Sequence, residues 1–504
     1  MNKCTEAIYA DEGKAFPGST YAEVVLAPAY QNAKKVLLDP MLAINKAHLI
    51  MLKEQALISE EDAETIARAI HHLNLEEIKQ SEYDGCFEDL FFFVEDRIMA
   101  AAGEIGGNLH LARSRNDMGV AMYRMTLRNK LLQVIQAAQT FQESLLDVAK
   151  EHADTLMLGY THTQQAQPMT FAHYLLAVYD FVGRDVQRLK AAYDTCNKSS
   201  MGAAALTTSG FNINRARMAE LLGFQGIVEN SYDAIAGADY LGETATAVKL
   251  ALINLGRFAQ DLLQWSTQEF SVVRVADPYV QISSIMPQKR NPVSLEHIRA
   301  LSSSGVGSAS SVLQMIHNTP FGDINDTEDD LQPHIWKSLA LTEQVYRLSR
   351  VVVGTLQINK KVAEQRAKDS FATITELADT LVRECQIPFR TAHAIVSAVV
   401  KMCLTRNLHV SDITKDMITE AAVKVSGKPL NLSDEVVKRA LDPWHFVKIR
   451  ALPGGPAPEE TTRMVKERQA ALKSARTLLK KEITRVKSAI DDLDKMTEKW
   501  SQAQ

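Results

Sequence analysis

The sequence predicts an all-α protein: three helical domains, with a bundle of five long helices at the centre. Three observations predict this. Apolar residues recur at helical steps along almost the whole chain, and the stretch from Val120 to Leu158 contains neither Gly nor Pro. Before about residue 112 and after about 361, by contrast, the helical patterns are short.

Taken in order, residues 1–112 form an N-terminal domain of short helices. Ser59 with Asp62 opens one of them in an S-x-x-D pattern, which lets side chain and backbone satisfy each other's free donors. Residues 113–361 form the central bundle. Its first helix shows Met118, Met122 and Met125 and then Leu132, Ile135, Ala138, Phe141, Leu145 and Val148 on one apolar stripe. Four further stretches have the same character, 170–198, 238–273, 293–317 and 334–357, and helices of this length pack as one elongated bundle. Residues 362–504 form a C-terminal domain, broken at Pro388, Gly427 and Pro429. It ends in a charged tail whose Leu472, Ala475, Leu479, Ile483, Val486, Ile490 and Leu493 make a stripe suited to docking on the protein itself.

Composition narrows the function. With 504 residues, 46% hydrophobic and 23% charged, the chain can bury a large core. A net charge of -5 leaves no basic footprint for nucleic acid or an anionic membrane. The first sixteen residues, "MNKCTEAIYADEGKAF", have no apolar signal core and no later stretch is a membrane span, so a cytoplasmic protein is expected. Five scattered cysteines, never in a CxxC pair, suggest neither a disulfide framework nor a thiolate metal site.

Three polar patches interrupt the apolar patterns. In "ISSIMPQKRNPVSLEH" (282–297), Asn291 and Pro292 fit the N-cap and first position of the helix from Val293, whose free amides attract anions. Lys289 and Arg290 add positive charge, and Ser283 and Ser284 add hydroxyls. In "GYTHTQQAQPMTFAH" (159–173), Thr161, His162, Gln164 and Gln167 crowd the junction of the first two long helices, where a histidine can move protons near neutral pH. In "HLARSRNDMGVAM" (110–122), Arg113, Arg115 and Asn116 precede the first long helix, with Asn116 or Asp117 as its cap. An ordinary charged loop, a structural histidine and a plain capped helix account for the same residues locally. Position decides: an unbroken helix at ~1.5 Å per residue puts the last two patches roughly 60 Å apart, so one shared site needs several subunits.

These residues carry a resemblance. "SSIMPQKRNP" resembles the signature loop of the fumarase and aspartase superfamily. "GYTHTQQAQPMTFAH" with "ARSRND", and the closing "LDPWHFVKIRALPGGPAP" (441–458), are similar to the argininosuccinate lyase branch, the likeness running from about residue 80 to 460. Adenylosuccinate lyases resemble the middle two motifs but fit "ARSRND" and the GG-x-AP ending less well. The resemblance implies a fumarase/aspartase-like helical homotetramer whose active sites each draw on three subunits. It implies anti elimination of a succinyl-amine to fumarate and a free amine, with no metal or organic cofactor. By position it makes Ser283 the base on a mobile loop and pairs His162 with Glu296 to protonate the departing nitrogen. Lys289 and Asn291 would stabilise the carbanion, and Arg115, Asn116 and Thr161 would hold carboxylates, with Ser284 and Gln164 against substrate.

The chain also departs from that branch. Phe91 stands where the branch has a His, Ile282 replaces a loop glycine, and Ala236, Gly237, Ala238 and Asp239 replace Ser-Asp-Arg-Asp. In "FGDINDTEDDLQP" (321–333), Asp323 replaces a Tyr, Glu328 a Gln and Leu331 a Lys, positions that serve the amine half of argininosuccinate in the branch. The expected enzyme makes fumarate from an N-substituted aspartate, argininosuccinate by default. The alternatives are a paralogue resembling ethylenediamine-disuccinate lyase, acting on another aminodicarboxylate, and a non-catalytic structural member of the fold, like the lens proteins built on it.

Overall fold

A computed structural model describes residues 3–502. The N-terminal helices include α1 (Ala27–Val36), α2 (Leu38–Glu54), α3 (Glu60–His71) and α4 (Leu90–Ala102). The Ser59 hydroxyl caps α3 as expected, accepting the Asp62 amide at 3.0 Å. Just before α1, Ala22–Leu26 forms a π-helical turn, a local widening often found at functional sites.

Five long helices form the centre: α5 (Arg115–Glu151), α6 (Phe171–Cys196), α7 (Asp239–Trp265), α8 (Val293–Ile316) and α9 (Gln332–Gly354). Their mutual contacts give their directions. Near the start of α5, Arg124 donates to the Thr195 and Cys196 carbonyls at the end of α6, and its guanidinium lies 3.9 Å from the Tyr240 ring at the start of α7. Gly242, also at the start of α7, faces Ile316 at the end of α8, and the Tyr123 hydroxyl reaches Asp329, just before α9. At the opposite pole Tyr174 packs on Trp265 with centroids 4.6 Å apart, joining the start of α6 to the end of α7. Midway, the fully buried Phe141 ring meets Phe258 and Tyr346.

Two expectations need correction here. The first long helix stops at Glu151, not Leu158: residues 156–161 and 164–170 form an antiparallel ribbon, β1 (Leu156–Thr161) and β2 (Gln164–Thr170). Leu156, Met157 and Leu158 are all buried, and so short an apolar run has no period that separates helix from strand. Likewise the 238–273 stretch is helical only to Trp265, and Val273–Arg274 is a strand, β3. It pairs with β6 (Gln357–Ile358), and a third ribbon joins β4 (Gln281–Ile282) to β5 (Arg290–Asn291).

Beyond the bundle, α10 (Ile374–Cys385), α11 (Phe389–Arg406), α12 (Lys415–Ser426) and α13 (Asp434–Leu441) enclose a separate small core around Leu381, Ile395, Val399 and Ile418. The "DPWHF" segment forms α14 (Pro443–Lys448), whose Val447 and Trp444 pack with Leu156 and Leu158 of β1. The last helix, α15 (Pro458–Ser501), docks on the protein as its stripe predicts. Met464, Val465, Leu472 and Val486 join the bundle core, and Leu493 joins the N-terminal one. Among the described residues no helix is long and apolar enough to cross a membrane.

Candidate active site

The polar patches lie at the two poles of the bundle. Ser114 caps α5, not Asn116 or Asp117; its hydroxyl accepts the Asn116 amide at 3.3 Å while Asp117 Oδ1 accepts the Ser114 amide at 3.0 Å. A serine followed by an acid three residues on closes a capping box. Asp117 Oδ2 also accepts the amides of Gly202 and Ala204, so this carboxylate fastens a neighbouring loop, and burial pushes its pKa up to about 6. Arg113 points inward to Asn45 Oδ1 at 2.7 Å, and burial brings it down to about 10. Arg115 and Asn116 are the polar residues of this patch that line a cavity of about 310 Å³.

That cavity gathers three of the positions at which the chain departs from its resemblance. Phe91, Asp323 and Glu328 line it with Arg115 and Asn116, and so do Asp329 and the N-terminal segment around Val25 and Leu26. Arg115 bonds Asp89 Oδ2 at 2.8 Å and Glu88 Oε1 at 3.2 Å. Its pKa is raised: burial opposes the charge, and the two carboxylates outweigh burial. Glu328 is pushed up to about 9 by burial and by a hydrogen bond to Asp323, with Asp329 adding like charge. Asp329 is raised chiefly by burial, against the Tyr123 hydroxyl that donates to it at 3.1 Å. Sequence reading missed Asp329, Tyr123 and the N-terminal wall; the run "DINDTEDD" was the available signal for the acids. Two larger grooves, of about 740 and 830 Å³, flank α5 against α15 and α9, and no motif residue lines either.

The other two patches share the opposite pole. β1 and β2 are joined by a two-residue turn, His162 and Thr163, with φ of 53° and 60°. Left-handed φ at both positions is the hairpin turn that matches strand twist, and it is usually filled by Asn-Gly. Holding it with His and Thr presents the imidazole, exposed, at the tip, with exposed Thr161 and Gln164 beside it. This hairpin lies next to the segment after α7, since Tyr160 packs on Phe270 with centroids 5.8 Å apart.

That segment leads into the serine loop, pinched at its base by β4 and β5 with Gln281 opposite Asn291. Asn291 is therefore in a strand, and Pro292 is the N-cap residue of α8, with no side-chain cap; the Leu295 and Glu296 amides bond its carbonyl instead. Within the loop Ser283 Oγ accepts the Ile285 amide at 3.3 Å and the Met286 amide at 3.0 Å. Ser284 and Lys289 are exposed, Arg290 pairs with Asp277, and Glu296 is exposed in the first turn of α8. No hydrogen bond or ion pair joins His162 to Glu296 within this chain. The 37 residues of α5 separate the poles by ~55 Å, so one copy does not bring Asn116 to His162 or Ser283. Among the described residues no three His, Cys, Asp or Glu side chains are grouped to hold a metal ion.

Comparison with known proteins places this architecture. The profile of the family described as "Lyase" matches residues 31–307, and that described as "Argininosuccinate lyase C-terminal" matches 371–448. A class II fumarase from Schistosoma mansoni superposes with TM-score 0.66 at 16% identity, covering 81% of this chain and 90% of that one, a likeness of fold. The fold and the sequence matches define a carbon–nitrogen lyase built on the fumarase/aspartase scaffold. Argininosuccinate lyase 2 of Agrobacterium fabrum is 40% identical over 88% of both chains, and argininosuccinate lyase 1 of Shouchella clausii 37% identical over 96% of both. The chain belongs to the argininosuccinate lyase family. Among solved structures, EDDS lyase in complex with formate superposes with TM-score 0.87 at 30% identity over 98% of both chains.

Proposed function

We propose that the protein cleaves an N-substituted L-aspartate to fumarate and a free amine, with argininosuccinate as the default substrate, in sites assembled from opposite poles of different copies of a homotetramer. Ser283 takes a proton from the carbon beside a carboxylate, and the electron pair spreads onto that carboxylate as an aci-carboxylate. The carbon–nitrogen bond then breaks, its electron pair leaving on nitrogen, which takes a proton through His162 oriented by Glu296.

The added charge on the intermediate is the main barrier. Lys289, Asn291 and loop amides offset it, each preorganised donor contributing ~3–4 kcal/mol. Arg115, Asn116 and Thr161 hold the succinyl carboxylates, and Ser284 and Gln164 complete the contacts. Loop closure over substrate excludes water and strengthens these interactions.

The observation that carries this reading is the environment of Ser283. Two backbone amides already point at its oxygen, and a serine serves as a base only where its alkoxide is stabilised in this way. Incubation with argininosuccinate, following the ultraviolet absorbance of fumarate, tests the reaction. Ser283→Ala should lower kcat by 10²–10⁴ with the fold intact; no fumarate from any N-substituted aspartate would favour a non-catalytic member of the fold. A second reading, a lyase for another aminodicarboxylate of the EDDS type, is favoured by the same cavity, where Phe91, Asp323 and Glu328 replace the branch's usual residues.

A further inference from the structure

No step of the reaction uses the closing motif at 441–458, yet its residues lie behind the hairpin that carries His162. Asp442 caps α14 by accepting the Trp444 amide at 3.0 Å and the His445 amide at 3.1 Å. Trp444 and Val447 then pack on Leu156 and Leu158, the base of β1. Just past α14, Arg450 donates to the Phe446 carbonyl at 2.8 Å, lies 3.3 Å from the centre of the Phe446 ring and reaches Glu376 Oε2 at 3.1 Å. Glu376 is buried on α10, and its chain neighbour Thr375 accepts a hydrogen bond from Gln167 of β2 at 3.3 Å. One support therefore holds β1, another holds β2, and the Arg450–Glu376 pair locks the two supports together. Glycine is required at 455, where a Cβ would run into the Arg450 carbonyl and open this clamp.

We infer that the closing motif is a brace for the hairpin: Arg450 and Glu376 are positioning residues that hold the His162 imidazole where it can pass a proton to the departing nitrogen. This rests on the lyase reading above and adds to it residues outside the site. The hairpin needs such a brace for two reasons. Its ladder shifts register between Leu158 and Tyr160, so strand pairing alone does not fix the tip. Its turn also holds His162 and Thr163 at left-handed φ, a conformation that persists only where the surroundings impose it. A proton donor displaced by ~1 Å can lose on the order of a hundredfold in rate, so a small relaxation of the clamp is enough to be read in kcat.

The test is a double-mutant cycle between Arg450→Met and His162→Ala, following fumarate release from argininosuccinate. Arg383 still holds Glu376 in Arg450→Met, so the carboxylate keeps a partner. This variant should lower kcat roughly tenfold or more, with KM nearly unchanged. In the His162→Ala background the same substitution should change kcat less than about twofold, because the group it positions is gone. Arg450→Lys should recover part of the loss. An equal loss in both backgrounds, or no loss in the first, overturns the proposal. Should Arg450→Met fail to assemble, Thr375→Val at its exposed site goes through the same cycle, and the same outcomes decide. Hydrogen exchange separates this from failure of the lyase reading. Amides of residues 160–165 should exchange roughly tenfold faster in Arg450→Met than in the wild type, with those of α5 unchanged. If no N-substituted aspartate yields fumarate but this change is seen, the elimination reading falls and the brace stands; if the change is absent, the brace falls whatever the activity.

Discussion

Glu328 and Asp323 share a hydrogen bond in a partly closed chamber, and Glu328 holds its proton up to about pH 9. In the unfolded chain it ionises near the ordinary 4.5, so between these values the folded state binds more protons than the unfolded one. Its contribution to stability is therefore complete below about pH 4.5 and is lost as pH rises towards 9. Glu328→Gln keeps the hydrogen bond without an ionisable group. Its melting temperature should exceed the wild type's by a margin that widens by a few degrees from pH 5 to pH 9, read by calorimetry at each pH; a constant margin would refute this. At the hairpin tip, a left-handed conformation costs a β-branched residue ~1–2 kcal/mol. Thr163→Gly should stabilise the fold by about 0.5–1 kcal/mol once the greater unfolded entropy of glycine is counted, measured by urea unfolding. At this scale Ser283, His162 and Asn116 were legible because polar side chains stand out in apolar patterns. Their caps and turns were not: the sequence offered Asn116 or Asp117 for one helix and Asn291 for the other, and only the packed backbone chooses Ser114 and leaves Asn291 in a strand.

Among the elements, the long helices were legible to within a few residues where their patterns ran into Gly, Pro or a capping Thr170, and illegible where an apolar run continued into a ribbon. The small C-terminal core was foreseen only as broken helices, because its closure depends on contacts remote in sequence. One of these is Glu376 on α10, buried and bound by Arg383 and by Arg450 of the closing motif, the latter at 3.1 Å. Removing the shared carboxylate leaves two guanidinium groups facing each other. Glu376→Ala should cost about 2–3 kcal/mol, below the usual figure for a fully buried pair because Arg383 is half exposed. Chemical denaturation measures this. In the bundle, Phe141→Ala should cost about 3–5 kcal/mol, since its fully buried ring packs between Phe258 and Tyr346 and leaves a void.

For the whole molecule, the separation of Arg115 and Asn116 from Ser283 and His162 by the length of α5 gives the shared-site proposal its sharpest test. Asn116→Ala and Ser283→Ala subunits should each be nearly inactive alone. Refolded together they should regain measurable fumarate release, because some chambers then combine an intact pole from each parent. No recovery in verified mixed assemblies would mean that each copy builds its own site. The distance argument was available from the sequence, but the grouping was not: that His162 and the serine loop share one pole follows from helix directions that only packing defines. Leu250 and Ile253 on α7 stay 38% and 40% exposed in the single chain, consistent with outer faces that further copies cover.

The rigidity of α5 also sets a rule for how such a chain can change over time. A helix with 3.6 residues per turn converts one inserted residue into a rotation of about 100° and a shift of about 1.5 Å. In the proposed shared site, even one added residue in the middle of the rod would swing the hairpin away from the neighbour it meets there, whatever side chains it carried. On that proposal, substrate preference can drift by exchange of residues around the chamber, while the residue count between Ser114 and His152 acts as a ruler that descent must leave uncut.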